Sequence, residues 1–239
     1  MLTHKDRIRL MLKAGEFHLP RAFIQACYKT SLVDDPFVSK DHELKCIFFH
    51  VPKAAGTSLR KSIYGSKSFH IPAVRYKSID AIKFDQYFKF CFVRNPYDRL
   101  LSAYEYLKIR CHSDMSFPDH RWAASNLTVY RDFEEFVLSL NESSVRNRIK
   151  SYIHFRDQLD WICDSNRERT ILADFIGRYE TISEDYERLQ EKLKLQKTLP
   201  AERKNPNRKD YRKSYSTKMV DIASDIYAKD IYRLGYSFE

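Results

Sequence analysis

Two short apolar runs, each ending in a turn that opens a helix, constrain this chain most. The first is Lys45-Cys-Ile-Phe-Phe-His-Val51 and the second is Tyr87-Phe-Lys-Phe-Cys-Phe-Val93. Continuous apolar runs of this length, rich in aromatic and β-branched residues, read as buried strands. After the first, a turn at 52–56 leads into a short helix over Thr57–Tyr64, with Leu59 and Ile63 four apart and Gly65 just past its end. After the second, Asn95 caps a helix whose first residue is Pro96, where the missing N–H costs nothing. Leu100, Ala103, Tyr104 and Leu107 form its apolar stripe. Ser78–Phe84 is predicted to be the crossover helix between the strands. Strand, helix, strand, helix in this order calls for a central parallel sheet flanked by helices, the α/β class.

The second half reads as mostly helical. Phe133, Phe136, Val137 and Leu140 follow helical spacing, and Thr181-Ile-Ser-Glu184 has the form of a capping box before Tyr186, Leu189 and Leu193. A strand is expected within Thr170–Tyr179, ending at Gly177. One last helix carries Met219, Ile222, Ala223 and Ile226, with Gly235 beyond its end. No pattern emerges over His112–Tyr130, which is predicted to be a long surface loop. Residues 1–40 read as a peripheral segment, helical around Arg7–Ala14, ahead of a domain over 41–239. That division suits the 239-residue length. No run approaches 18 apolar residues, so no membrane span is expected. The first residues carry scattered charges and no apolar core of a secretory signal. The five cysteines, Cys27, Cys46, Cys91, Cys111 and Cys163, form no CxxC pair, which argues against a disulfide framework or a zinc site and fits a reducing cytoplasm.

The net charge is +10, and residues 203–213 alone hold six Lys/Arg against one acid. Such a segment is either a solvated loop or a site for an anion: phosphate, nucleic acid or an acidic glycan. Nothing in the sequence resembles a base-reading module, so nucleic-acid binding is the weaker reading.

The stretch His50-Val-Pro-Lys-Ala-Ala-Gly-Thr-Ser58 follows the first strand and opens a helix. Helix N-terminal N–H groups, a lysine and two hydroxyls make an anion cradle. It is not the GxxxxGK[ST] phosphate loop, because Lys53 comes four residues before Thr57. The second stretch, Arg94-Asn-Pro-Tyr-Asp-Arg-Leu-Leu-Ser-Ala-Tyr104, starts at the carboxyl end of the second strand, where open α/β sheets bind ligands. Arg94 and Ser102 are candidates for a second phosphate. The bland alternative is capping plus surface ion pairs of Asp98 with Arg99 or Arg94.

The two motifs together resemble the carbohydrate sulfotransferases of the Golgi type and their bacterial relatives. The segment Asp174-Phe-Ile-Gly-Arg-Tyr-Glu180 and the stretch Tyr211-Arg-Lys-Ser-Tyr215 are similar to later, weaker motifs of that family. The resemblance implies a three-layer fold of the P-loop-like kind. It also implies a donor, 3′-phosphoadenosine-5′-phosphosulfate (PAPS), and a hydroxyl acceptor, a glycan. Lys53, Ala54, Gly56, Thr57 and Ser58 would take the 5′-phosphosulfate, and Arg94 and Ser102 the 3′-phosphate. Arg178, Arg208, Lys209 and Arg212 are further nucleotide candidates. Golgi members carry an N-terminal membrane anchor that this chain lacks, which points to a bacterial cytoplasmic enzyme.

Sulfuryl transfer needs a cation on the leaving oxygen and a base on the acceptor. Lys53 suits the first task. For the second, His70 follows the first helix and lies in a segment resembling the family's HxxAxxY. His50 is expected to turn into the sheet and serve structure, and His154 to line the acceptor cleft. No metal is expected, because a sulfuryl group carries less charge than a phosphoryl group. A kinase-like phosphotransferase on the same fold is the alternative enzyme.

Overall fold

A computed structural model describes residues 35–65, 70–195 and 210–239. They divide into two compact units, one holding described residues in 35–51, 55–93 and 158–195, the other those in 52–54, 94–157 and 210–239. The helix expected around Arg7–Ala14, Cys27 and most of the basic stretch 203–213 lie outside the described residues.

The first unit is an α/β sheet sandwich. After helix α1 (Ser39–Leu44) come β1 (Cys46–Phe49), α2 (Gly56–Tyr64), α3 (Ala73–Ile79), α4 (Ala81–Gln86) and β2 (Phe88–Val93). Helix α9 (Leu159–Ile162), β3 (Phe175–Arg178) and α10 (Ile182–Leu193) complete it. The strands are parallel in the order β1-β2-β3, with Phe48 opposite Phe90 and Phe92 opposite Gly177. Both faces of the sheet are covered, which is why the runs are apolar throughout. Cys46, Phe48, Phe90 and Phe92 pack on Leu59 and Ile63 of α2 and Tyr186 and Leu189 of α10. Phe49 points the other way, against Tyr76 of α3 and Phe84 of α4. Gly177 is required by close packing: a Cβ there would stand 2.4 Å from the Phe92 ring.

The second unit is helical: α5 (Pro96–Lys108), α6 (Pro118–Leu127), α7 (Phe133–Ser139), α8 (Ser143–Lys150), a 3₁₀ turn (Tyr211–Ser214), α11 (Thr217–Ile226) and α12 (Ala228–Leu234). Its core joins the expected stripes, Leu100, Ala103, Tyr104 and Leu107 of α5 with Phe136 and Val137 of α7 and Met219, Ile222 and Ala223 of α11. Asn95 accepts the Tyr97 N–H, as a cap should.

Several expectations change. The stretch His112–Tyr130 is no mere loop, because α6 starts at Pro118 and buries Ala123 and Leu127 in this core. The polar first turn, Asp119-His-Arg121, hid the period. The crossover is two helices, broken where Asp80 accepts the Lys83 N–H. Thr181 makes no capping box; its hydroxyl donates to the Asp185 carboxylate instead. Strand β3 runs one residue past Gly177. The last helix breaks at Tyr227, whose buried hydroxyl donates to the Phe155 carbonyl. Cys46, Cys91, Cys111 and Cys163 are buried. No helix among the described residues is long and apolar enough to cross a membrane, and no His/Cys/Asp/Glu group among them could hold a metal ion.

Candidate active site

The turn after β1 holds two non-glycine residues in the left-handed region, two positions apart. Lys53 and Ala55 both take left-handed conformations, with φ of 68° and 61°. For a residue other than glycine this costs roughly 1–2 kcal/mol, so surrounding contacts must hold it. Two arginines of the second unit do so by donating to its carbonyls: Arg94 Nη1 to Lys53 at 3.0 Å and Arg99 Nε to Pro52 at 3.0 Å.

In the first unit the same turn becomes α2. Its cap residue, Ala55, has no side chain to satisfy the first turn, and the Ser58 and Leu59 N–H groups return to the Ala55 carbonyl. A helix start without a side-chain cap, at the positive end of the helix dipole, favours an anion. Gly56 is fixed by a neighbour, since a Cβ there would lie 1.8 Å from the His50 ring. His50 is buried, stacked on Phe48 at 5.7 Å between centroids, the structural role expected of it. Its ring lies 4.1 Å from that of His70. His70 Nδ1 stands 3.1 Å from the His50 carbonyl oxygen. A carbonyl only accepts, so Nδ1 carries a proton in this contact. Trp161 packs edge-on against His70.

In the second unit, α5 organises charge. Arg94 is buried and its Nε donates to Asp98 at 2.8 Å. Asp98 thus pairs with Arg94, and Arg99, only 1% exposed, instead binds the carbonyls of Pro52, His154 and Arg156. Asp98, Ser102 and Tyr106 follow at steps of four, so they lie along one side of the helix. The Lys53 ammonium sits 4.0 Å from the Tyr106 ring centroid. Glu105 lies in the field of Arg94 and Lys53; desolvation of its carboxyl nevertheless raises its pKa, with Asp98 adding to the rise.

Behind Tyr106 is a polar cluster. The Tyr106 hydroxyl donates to Asp119 at 3.0 Å, Tyr152 donates to the other carboxylate oxygen, and His154 Nε2 lies 3.1 Å away. Burial pushes the Asp119 carboxyl up, but these three partners outweigh it and hold it well below the usual carboxylate range. Burial also depresses the His154 pKa against the pull of Asp119. At neutral pH the cluster is therefore an ionised carboxylate accepting from a neutral imidazole and two phenols. Trp122 stacks on Tyr152 at 3.9 Å between centroids.

The expected residues therefore fall into two sets. Lys53, Ala54, Arg94, Ser102 and His154 belong to the second unit, with Lys53 and Arg94 joined directly; Gly56, Thr57, Ser58, His70 and Arg178 belong to the first. Arg178 ends β3, and its N–H donates to Asp185. Arg212 is exposed and paired with Asp210, while Arg208 and Lys209 lie outside the described residues. Glu105, Tyr106 and Asp119 were not marked by any motif. The four-residue steps from Arg94 to Tyr106 are a signal for Tyr106; Asp119 has none, since it sits where the sequence shows no helical pattern.

An uncharacterized protein of Archaeoglobus fulgidus is 32% identical over 130 residues, covering 54% of this chain and 87% of that protein. No solved structure matches. The Sulfotransferase family matches residues 34–237, which take in the turn, α5 and the Asp119 cluster, and the chain belongs to that family.

Proposed function

We propose that this protein transfers the sulfuryl group of PAPS to a hydroxyl of a carbohydrate. Membership of the family supports sulfuryl transfer in general. The observation that carries the finer reading is the turn itself, where an uncapped helix start follows a left-handed lysine whose carbonyl is held by a buried arginine.

In this reading the N–H groups of Gly56 and Thr57, with the Thr57 and Ser58 hydroxyls and the backbone of Ala54, hold the 5′-phosphosulfate. Arg94 and Ser102 hold the 3′-phosphate. The acceptor oxygen attacks sulfur in line as the bond from sulfur to the phosphate oxygen breaks. Lys53 neutralises the charge that grows on that oxygen. His70 Nε2 takes the acceptor proton. The products are the sulfate ester and adenosine 3′,5′-bisphosphate. Arg178 and Arg212, together with Arg208 and Lys209, are assigned to the nucleotide, and His154 to the wall of the acceptor cleft. The chemistry calls for no metal.

Thermal unfolding tests the donor. Adenosine 3′,5′-bisphosphate without Mg²⁺ should stabilise the protein, by about 2.7 kcal/mol at a hundredfold excess over its Kd. Arg94→Ala should remove most of that gain while leaving the weaker gain from adenosine 5′-phosphate. Stabilisation by ATP with Mg²⁺ alone would instead mark a phosphotransferase.

A further inference from the structure

We propose that Tyr106 is a positioning residue for Lys53, and that Asp119 fixes it in that role. This rests on the reading of Lys53 as the cation at the leaving oxygen. A lysine side chain has four flexible carbons, and its ammonium must be held in place if it is to act at one oxygen. Its backbone is already held, since Arg94 binds the Lys53 carbonyl. Its far end lies over the Tyr106 ring, at 4.0 Å from the centroid.

The ring is held in turn. The Arg110 guanidinium lies 3.8 Å from the same centroid, and Arg110 also donates to the Tyr106 carbonyl. The negative π faces of the ring attract both charges, so both contacts bear on its orientation. The third constraint is in the plane of the ring: the hydroxyl is anchored to Asp119, itself held by Tyr152 and His154. The whole chain of contacts, from Lys53 through Tyr106 and Asp119 to His154, lies within the second unit. A cluster whose ionised carboxylate has three donors and a stacked tryptophan over one of them gives Tyr106 a single orientation. The Lys53 ammonium then rests against a fixed ring at 4.0 Å from its centroid.

Release of adenosine 3′,5′-bisphosphate from saturating PAPS, with water as acceptor, tests this in four proteins: Tyr106→Leu, Tyr106→Phe, Lys53→Ala and the double variant Lys53→Ala/Tyr106→Leu. Tyr106→Leu should lower kcat about tenfold, the scale of one cation–π contact. Affinity for adenosine 3′,5′-bisphosphate should change little. Tyr106→Phe keeps the platform and loses only the anchor, so it should fall between Tyr106→Leu and the native protein; it also serves if Tyr106→Leu fails to fold. The decisive comparison is the double variant, which should be no slower than Lys53→Ala, because without the ammonium the platform has nothing to position. An equal loss from Tyr106→Leu with and without Lys53 would overturn the proposal, as would a native rate in both Tyr106 variants. A native rate in Lys53→Ala would overturn the assignment of Lys53 itself, and this inference with it.

Discussion

The turn after β1 changes character along its length. Over residues 55–58, which belong to the sheet unit, it offers helix N–H donors, two hydroxyls and, packed on Gly56, the His50 ring, tilted against that of His70. Over residues 52–54, which belong to the helical unit, it is held by arginines and carries a lysine, in a neighbourhood that includes Asp98 and Glu105. The sheet unit builds with backbone geometry and the helical unit with side-chain charge. Backbone donors survive almost any side-chain change except one that alters the space around them. A charged cluster is broken by a single truncation, and it responds to pH.

The largest effect should come from the charged side. Lys53→Ala should reduce turnover by about 10²–10³, the usual loss for a donor aimed at developing charge. Binding of adenosine 3′,5′-bisphosphate should weaken much less. A variant that lost affinity and rate equally would show Lys53 holding the ground state, and the contrast between the two sides would narrow.

A neutral base is next. His70→Ala should cost about 10²-fold in turnover, leave nucleotide affinity intact and erase the acidic limb of the pH profile. An unchanged limb would move the base elsewhere, with Glu105 the first carboxylate to examine because of its raised pKa.

Gly56→Ala probes the backbone side without touching a functional side chain. Its new Cβ would fall on the His50 ring, so stability should drop by about 1–3 kcal/mol, with nucleotide-induced stabilisation lost as the turn shifts. Adding His50→Ala should restore part of both. Full additivity of the two changes in a melting experiment would mean that the close approach does not set the turn.

The smallest effects are those of pH on the buried cluster. His154 has a native pKa below its ordinary 6.5, so the unfolded chain takes up its proton first and stability should decline as pH falls below that value. Asp119 is depressed below its ordinary 3.8, so its contribution is complete above that pH and is lost as pH falls toward the native value. Melting temperatures between pH 7 and 3 should therefore fall in two stages. His154→Gln should flatten the first and Asp119→Asn the second. A single stage shared by both variants would show the pair titrating as one group.

Much of the fold is legible in the chain because its signals are local. Two apolar runs define β1 and β2, Asn95-Pro96 starts α5, and Gly65 ends α2 with φ of 66°. The HVPKAAGTS turn and the stretch from Arg94 to Ser102 are each legible for the same reason, since each follows directly on a strand end. These are matters of backbone propensity and capping, which depend on near neighbours. What only tertiary structure decided depends on residues far apart in sequence. Gly177 is needed because of Phe92 on the adjacent strand. Asp98 could have paired with Arg94 or Arg99; the choice fell to Arg94 because three distant carbonyls claim Arg99. The Asp119 cluster draws on α5, α6 and the segment after α8, and no spacing along the chain announces it. Its polar residues are buried only because each satisfies another, a condition set by packing in three dimensions.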